Sequence, residues 1–540
     1  MHGSRDAHAL LRDPGLEPTW PGGRVRWANG RLTEVTPLDL GSAAAVGPDA
    51  ATGTASPAPG LAQPPHARPP STARHVLMPA LANAHDHART LRSSSLGAFE
   101  QPLESWLPFL GVLPGADPYA CAATSFARSV RHGVTALMVH YTRVQGGMPY
   151  VDEAVAVARA ARDVGIRIGF AVAMRDRHGI GYADDSQVLA ALRPEIRADV
   201  AQRLSAPLMA PAEQIARVHE VAQAVSLADG GSLAPHVTVQ LGPTGVQWCS
   251  TALLEAIARD SADHQRPVHL HLLETRYQRD WADRVHPEGI VHHLDAIGLL
   301  SPRLTLAHCA WARPDELALL AERGVTIAVN TSSNLGLKSG IAPLAQMLSQ
   351  GCRVAMGLDG MAFDEDDDAL REMRLAYALH RGWGFDVTMS RAQLWAFAAR
   401  HGRRSVIGPA AAGGAQDAHA ADPLDSLAGR LVPGAPADLL LLDADALDDD
   451  AILSGLDPFE LLLARGCGRH IHEVIAAGRP VVRSGVVLGI DEPALKAQLN
   501  AQWRSALAAD PAWTDWRGRV TALAQDLGPF YRGGAFLGCC

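Results

Sequence analysis

Two histidines one residue apart, His85 and His87 in the stretch Pro79-Ala-Leu-Ala-Asn-Ala-His-Asp-His, are the first side chains in this chain whose spacing suggests chemistry. On an extended strand, side chains two apart leave by the same face. Two imidazoles held side by side can chelate a cation of the kind histidine favours, such as zinc or iron. In a chain with 23 histidines a bare pair is a weak signal, and its weight depends on what stands at later strand ends. Three further strand ends qualify. His269 and His271 close the run Pro267-Val-His-Leu-His-Leu272, His308 closes Leu304-Thr-Leu-Ala-His308, and Asp359 follows Arg353-Val-Ala-Met-Gly357. Three neutral imidazoles and a carboxylate suit Zn²⁺ or Fe²⁺ with a place left for water.

A regular alternation must position these groups. Helical text at Tyr119–His132, Val151–Val164, Pro211–Ser226, Thr251–His264, Gly289–Ile297, Pro314–Arg323, Ile341–Gln350 and Asp368–His380 alternates with short apolar runs. Counting the run His75-Val-Leu-Met78 as the first strand gives eight strand–helix units. Eight such units predict an α/β fold, a closed (β/α)8 barrel of the TIM type. A doubly wound open sheet is the alternative, and no glycine-rich phosphate fingerprint supports it. Active sites of such barrels lie at the C-terminal strand ends, where the candidates above stand.

Outside the barrel, Gly23–Val35 alternates about an Asn29-Gly30 turn, a hairpin signal. Strand-like text returns at Ala437–Leu442 and Glu473–Val482 after a Gly/Ala-rich break near 408–421. The expected organisation is 1–75 and 409–490 as the two parts of one small β-sandwich domain, with 43–74 a flexible insertion. The barrel then occupies 76–408, and a helical extension occupies 491–540, with Trp503, Trp513 and Trp516, for packing or oligomer formation.

Composition narrows the class. Forty-seven per cent hydrophobic residues among 540 fill a sizeable core, and a net charge of −9 without basic runs argues against nucleic-acid or anionic-membrane partners. No stretch is apolar enough for a span or signal, and the seven scattered cysteines lack CxxC spacing. A reducing cytoplasm is expected.

Taken in order, HDH (85–87), HLHLLET (269–275), LAHC (306–309), NTSSN (330–334) and MGLDG (356–360) resemble the amidohydrolase superfamily. The likeness is greatest to its aminohydrolases and chlorohydrolases of nitrogen heterocycles, such as cytosine, guanine and triazine enzymes. It runs from about Val76 to Arg404, and Gly429–Asp438 resembles that family's second β domain. The resemblance implies metal ligation by His85, His87, His271 and Asp359, with Glu274 as proton shuttle, His308 on the metal-bound water, and Asp359 sharing in its deprotonation. It implies one divalent ion, Zn²⁺ before Fe²⁺. Binuclear relatives use a carboxylated lysine as a bridge, but the only lysines here are Lys338 and Lys496, so a mononuclear centre is expected. The implied reaction is attack of metal-bound hydroxide on a purine, pyrimidine, pterin or triazine type of ring with loss of ammonia. The same site could instead hydrolyse a ring amide, an amidine or a C–Cl bond. An inactive barrel acting as a binding subunit predicts missing ligands, and every ligand position is filled.

Further residues are candidates for substrate contact: Arg89, Gln240, His140, Ser333 and Asn334. His269, one layer below His271, is expected to fill the barrel, and Asp364–Asp368 to cap a helix. The expected partners are a small heterocyclic substrate and further copies of the chain, as a homodimer or higher homo-oligomer.

Overall fold

A computed structural model describes residues 1–38, 74–360, 364–408, 427–450, 452–453 and 455–537, without the side chains of 511–514. The expected insertion (all but residue 74) and most of the Gly/Ala-rich break lie outside the described residues.

Eight parallel strands neighbour one another in chain order: Leu81–Asp86, Val134–Tyr141, Arg167–Met174, Val237–Pro243, Val268–Leu272, Leu304–His308, Thr326–Val329 and Arg353–Met356. They are buried almost throughout, as strands covered on both faces must be. The last strand meets the first through backbone N–H groups of Leu358 and Asp359, which donate to the His85 carbonyl at 3.2 and 2.9 Å. The seam of the (β/α)8 barrel therefore runs through two of the candidate residues. The surrounding helices start where side chains can cap them. Asp117 accepts from the Ala120 N–H ahead of Pro118–Arg131, Ser250 from Leu253 ahead of Thr251–His264, and Asp368 from Leu370 and Arg371 ahead of Ala369–His380.

One expected strand is elsewhere. His75–Pro79 does not open the barrel. It pairs antiparallel with Leu439–Asp443 and parallel with Ala9–Leu10, in a six-stranded sheet built from both chain ends. A short all-apolar run suits a buried parallel strand and the centre of a packed antiparallel sheet equally well, so its pairing is not written in its own pattern. The chain crosses between the two at Ala80, whose N–H donates to Asp438 O, and Leu81–Asp86 follows directly as the first barrel strand.

A three-stranded sheet, His2–Ala7 with Gly23–Ala28 and Arg31–Pro37, packs on the six-stranded one around Leu10, Val25, Trp27, Leu77, Leu439 and Ile475. Its hairpin turns at Asn29-Gly30 with φ of 50° and 76°, the pair of positive values that a type I′ turn requires.

The C-terminal extension folds as helices Glu492–Ala509 and Pro511–Arg532. Leu499 and Trp503 pack on Ala120 and Cys121, and Val520 and Ala524 pack on Leu103 and Trp106. Leu527, Phe530 and Tyr531 pack on Val188, Ile196 and Val200, which belong to two helices (Asp185–Ala191 and Pro194–Leu204) inserted after the third barrel strand. The extension thus flanks loops at the mouth of the barrel. Among the described residues no helix is long and apolar enough to cross a membrane.

Candidate active site

Strand ends bring the candidate ligands together. His85 Nε2 and His87 Nε2 lie 3.4 and 3.3 Å from the same oxygen, Asp359 Oδ1, and His271 Nε2 lies 3.3 Å from His87 Nε2. Bonds of 2.0–2.2 Å from one ion to four donors would set those donors about 3.3–3.6 Å apart. Neither ring nitrogen of His85 has a hydrogen-bond partner, and Asp359 Oδ1 has none. Buried polar atoms rarely go unpaired, and His85 Nε2 facing Asp359 Oδ1 at this spacing suits a cation.

The neighbours of these groups fix their orientation. His87 Nδ1 lies 2.7 Å from the His140 carbonyl and 3.0 Å from Thr142 Oγ1, which places the proton on Nδ1 and leaves Nε2 as the donor atom. Ser333 Oγ donates to Asp359 Oδ2 at 2.6 Å and leaves Oδ1 turned towards the histidines. Asn83 accepts from the backbone N–H groups of His85 and Leu358, while Asp86 accepts from those of His87 and Ala88. Ala88, Leu273, His308, Cys309 and Asp359 all take positive φ between 47° and 77°. Such conformations in side-chain-bearing residues are strained, and here they cluster where strands end at the site.

Burial shapes the protonation states. It pushes His85 down to about 3 in spite of Asp359 beside it, and His87 down to about 4 together with Arg89. His271 is also held well below its usual value by burial and by neighbouring imidazoles. All three therefore keep free lone pairs at neutral pH. For Asp359, burial pulls upward, but Arg89, His85 and His87 outweigh it and hold the carboxyl well below the usual range.

Glu274 faces this group from the next loop. Its Oε2 lies 3.5 Å from His308 Nε2, and its Oε1 accepts from Ser339 Oγ at 3.3 Å. Burial, opposed by His308 and helped by Asp359 and Glu104, pushes Glu274 up to about 7. A carboxyl with that value exchanges protons at neutral pH. His308 Nδ1 sits 2.9 Å from Asn334 Oδ1 and 3.1 Å from Asn330 Nδ2. Ligand-type atoms of Glu274, His308 and Asp359 lie within 4.8 Å of one another.

The candidate substrate contacts take different places. Arg89 lies over Trp106 at 4.5 Å, donates from Nη1 to the Asp359 carbonyl at 2.9 Å, and sets Nη2 3.6 Å from Asp359 Oδ1. Ser333 and Asn334 orient Asp359 and His308 respectively. His140 reaches the site through its main-chain oxygen, while its ring stacks on His271 and its Nε2 meets Gly242 O at 3.0 Å. Gln240 is not brought to this group. Its amide donates to Ser405 and Val406 carbonyls at 2.8 and 3.0 Å, in the helix beneath the barrel, because the strand continues past it to Pro243. His269 lies parallel to His85 at 4.9 Å with Nε2 on the Ala84 carbonyl, filling the barrel as expected. In the acidic run, Asp368 caps its helix, Asp364 and Asp366 pair with Arg371, and Asp367 meets Ser129 and Arg128.

Sequence reading missed Asn330, Ser339, Thr142 and a buried chain in which Glu104 accepts from Thr275 at 2.7 Å and Thr275 lies 3.3 Å from the Tyr182 hydroxyl. Asn330 opens the NTSSN motif, so its polarity at a strand end was a usable signal. The other positions depend on loops that only the fold brings together.

The model of the amidohydrolase family matches residues 76–403. The chain is 27% identical over 423 residues to a 5′-deoxyadenosine deaminase of Methanothermobacter thermautotrophicus, covering 77% of this chain and 84% of that protein. It is 28% identical over 443 residues to an 8-oxoguanine deaminase of Pseudomonas aeruginosa, covering 81% and 88%. The solved structure of an adenosine deaminase from Xanthomonas campestris with bound zinc superposes with a TM-score of 0.67 at 21% identity, over 94% and 98% of the two chains, a likeness of fold. The match of the family model across the whole barrel, over more than half of the chain, establishes that this protein belongs to the amidohydrolase family.

Proposed function

We propose that the chain is a mononuclear metal-dependent aminohydrolase that replaces an amino group on a nitrogen heterocycle by oxygen and releases ammonia. The observation that carries this reading is the meeting of His85 and His87 on Asp359 Oδ1 at 3.4 and 3.3 Å, with His271 3.3 Å from His87, beside a proton-exchanging Glu274. The relatives named as deaminases of 5′-deoxyadenosine and 8-oxoguanine favour a purine-like ring.

Three nitrogens and one carboxylate oxygen form a borderline donor set that suits Zn²⁺ first and Fe²⁺ second. A divalent ion held there would supply Lewis acidity, bringing the pKa of water towards neutrality. No lysine lies between His87 and the exposed Lys338, which supports one ion over a lysine-bridged pair.

The side chains divide the remaining work. His308 Nε2 and Asp359 Oδ1 accept the protons of the attacking water and aim its lone pair at the ring carbon. Glu274 Oε2 gives a proton to the adjacent ring nitrogen, which makes that carbon electrophilic. It regains one water proton through His308 Nε2 at 3.5 Å and delivers it to the departing amine, and the second water proton, passed on from Asp359, restores the acid. Water and the amino-substituted ring become the oxo-substituted ring and ammonia, so the atoms balance. Ser339, Ser333, Asn330 and Asn334 keep these groups in register.

Ammonia release from a panel of aminopurines, aminopyrimidines, pterins and aminotriazines, with metal content measured on the same preparation, tests the reading. Ammonia from one ring class with about one transition-metal ion per chain is expected. Silence across the panel, with chloride or a ring-opened product from other heterocycles, would overturn it.

A further inference from the structure

The helix that follows Glu274, Arg276–Val285, is capped at its end by His286, and the next helix is Ile290–Ala296. The turn His286-Pro-Glu-Gly289 between them is closed by the Gly289 N–H, which donates to the His286 carbonyl at 2.8 Å, with Pro287 fixing its second position. His293 stands one turn into the second helix, its N–H on the Gly289 carbonyl at 2.9 Å. This short frame brings three side chains to one point away from the barrel centre. His286 Nδ1 and His293 Nδ1 lie 3.5 and 3.9 Å from the same oxygen, Glu288 Oε1, and the two ring centres are 4.3 Å apart.

Both separations exceed the roughly 2.7–3.2 Å of an ordinary N–H···O bond. Among the described residues neither imidazole forms a hydrogen bond or ion pair with any residue other than Glu288. The pattern repeats that of the barrel centre, where His85 and His87 face one carboxylate oxygen at 3.4 and 3.3 Å. Donors on one tetrahedral ion stand about 3.3–3.6 Å apart. The His286 separation falls in that range, and the exposed Glu288 carboxylate has room to swing closer to His293. Burial, with His293 and Arg177, holds His286 below its usual value against the pull of Glu288, so its lone pair is free at neutral pH. His286 also stands at a helix C-terminus, where the negative end of the dipole favours a cation. The other histidine–carboxylate cluster outside the barrel is closed on itself. His219 Nε2 meets Asp260 Oδ1 directly at 2.6 Å, and Arg266 stands 3.6 Å from the second oxygen.

We propose that His286, Glu288 and His293 form an accessory site for one borderline divalent cation, such as Zn²⁺ or Cu²⁺, held by two imidazole nitrogens and a carboxylate with water completing its shell. The site is separate from the barrel centre and stands independently of the aminohydrolase reading. Because Glu288 is open to solvent, this ion exchanges and leaves on desalting, whereas an ion buried in the barrel stays. When bound, it ties the end of one helix to the start of the next across the His286–Gly289 turn.

The test dialyses the desalted full-length protein against buffered Zn²⁺ and counts the ions gained. The wild type should take up one further ion per chain. His293→Ala and Glu288→Gln should each weaken that uptake by at least about tenfold. Glu288 is exposed, so Glu288→Gln keeps the test open should His293→Ala fold poorly. His219→Ala and His271→Ala should keep the further ion, the latter while losing the ion of the barrel. Cu²⁺ should quench Trp281, whose ring centre lies 5.8 Å from that of His286, and this part of the fluorescence loss should vanish in Trp281→Phe and in Glu288→Gln. No further ion in the wild type would overturn the proposal. So would unchanged uptake in His293→Ala and Glu288→Gln, or a loss in His219→Ala in their place, which would put the ion elsewhere on the surface. If His271→Ala loses no ion, it is the barrel reading that fails, and the accessory site is judged by Glu288→Gln and His293→Ala alone.

Discussion

His269 and His271 leave one strand by the same face, their ring centres 6.4 Å apart, yet they occupy different chemical worlds. The lower ring places Nε2 on the carbonyl of Ala84, as the similarly buried His140 places its own on Gly242. Each ring has a backbone acceptor for its N–H at Nε2, although the Nδ1 of each is buried without a partner. The upper ring places Nε2 3.3 Å from another imidazole nitrogen, and beside it His85 and Asp359 present atoms with no partner. Depth in the barrel therefore decides role. A histidine that meets a carbonyl braces the structure, whereas histidines that meet one another and a carboxylate are arranged for something between them.

Substitutions can break or sharpen that contrast. The largest effect is expected from His271→Ala, which should lose both bound metal and ammonia release to background. Retained activity would remove the distinction between the tiers. Glu274→Gln comes next, with a fall of about 10²- to 10⁴-fold in kcat and metal content unchanged, because the proton carrier is lost while the donors remain. Ser333→Ala frees Asp359 Oδ2 and should weaken metal affinity or activity by about 10- to 100-fold, read by competition with a chelator. His269→Gln should cost about 1–3 kcal/mol of stability in urea unfolding and leave kcat within a few-fold, since only a buried hydrogen bond and its packing change.

The smallest effect concerns a histidine of the bracing kind below the barrel. His401 lies in the helix His401–Ile407, its Nδ1 is 2.7 Å from the Val354 carbonyl, and burial pushes it down to about 4. The unfolded chain binds a proton near 6.5 that the folded chain refuses until about 4, so the stability this residue contributes is present above 6.5 and lost as pH falls towards 4. Urea midpoints at pH 7 and pH 5 should therefore differ less in His401→Gln than in the wild type.

The sequence was most informative where chemistry and strand position coincide. His85, His87, His271, His308 and Asp359 were legible because each closes or follows an apolar run, and barrels place such ends on one face. Glu274 was legible through its place in the HLHLLET motif. Pairing partners were not. His75–Pro79 carries no alternation to say which sheet it joins, and only Leu439–Asp443, more than 350 residues later, settles it. Gln240 was misleading for a related reason. Polarity near a strand end suggested the mouth, but the strand runs on to Pro243 and turns that side chain towards Ser405. Ser333 and Asn334 were visible as polar turn residues, while their aim at Asp359 and His308 depends on how two loops cross. The C-terminal helices were visible as helices, but the shared contact of Trp503 and Arg143 with Pro114 lay beyond any local pattern.

The measurement that bears most directly on the two-tier account is metal content by elemental analysis of wild type, His271→Ala and His269→Gln purified in parallel. The account predicts about one transition-metal ion per chain in the wild type, close to none in His271→Ala, and about one in His269→Gln. Equal content in all three, or a loss in His269→Gln matching that in His271→Ala, would contradict it.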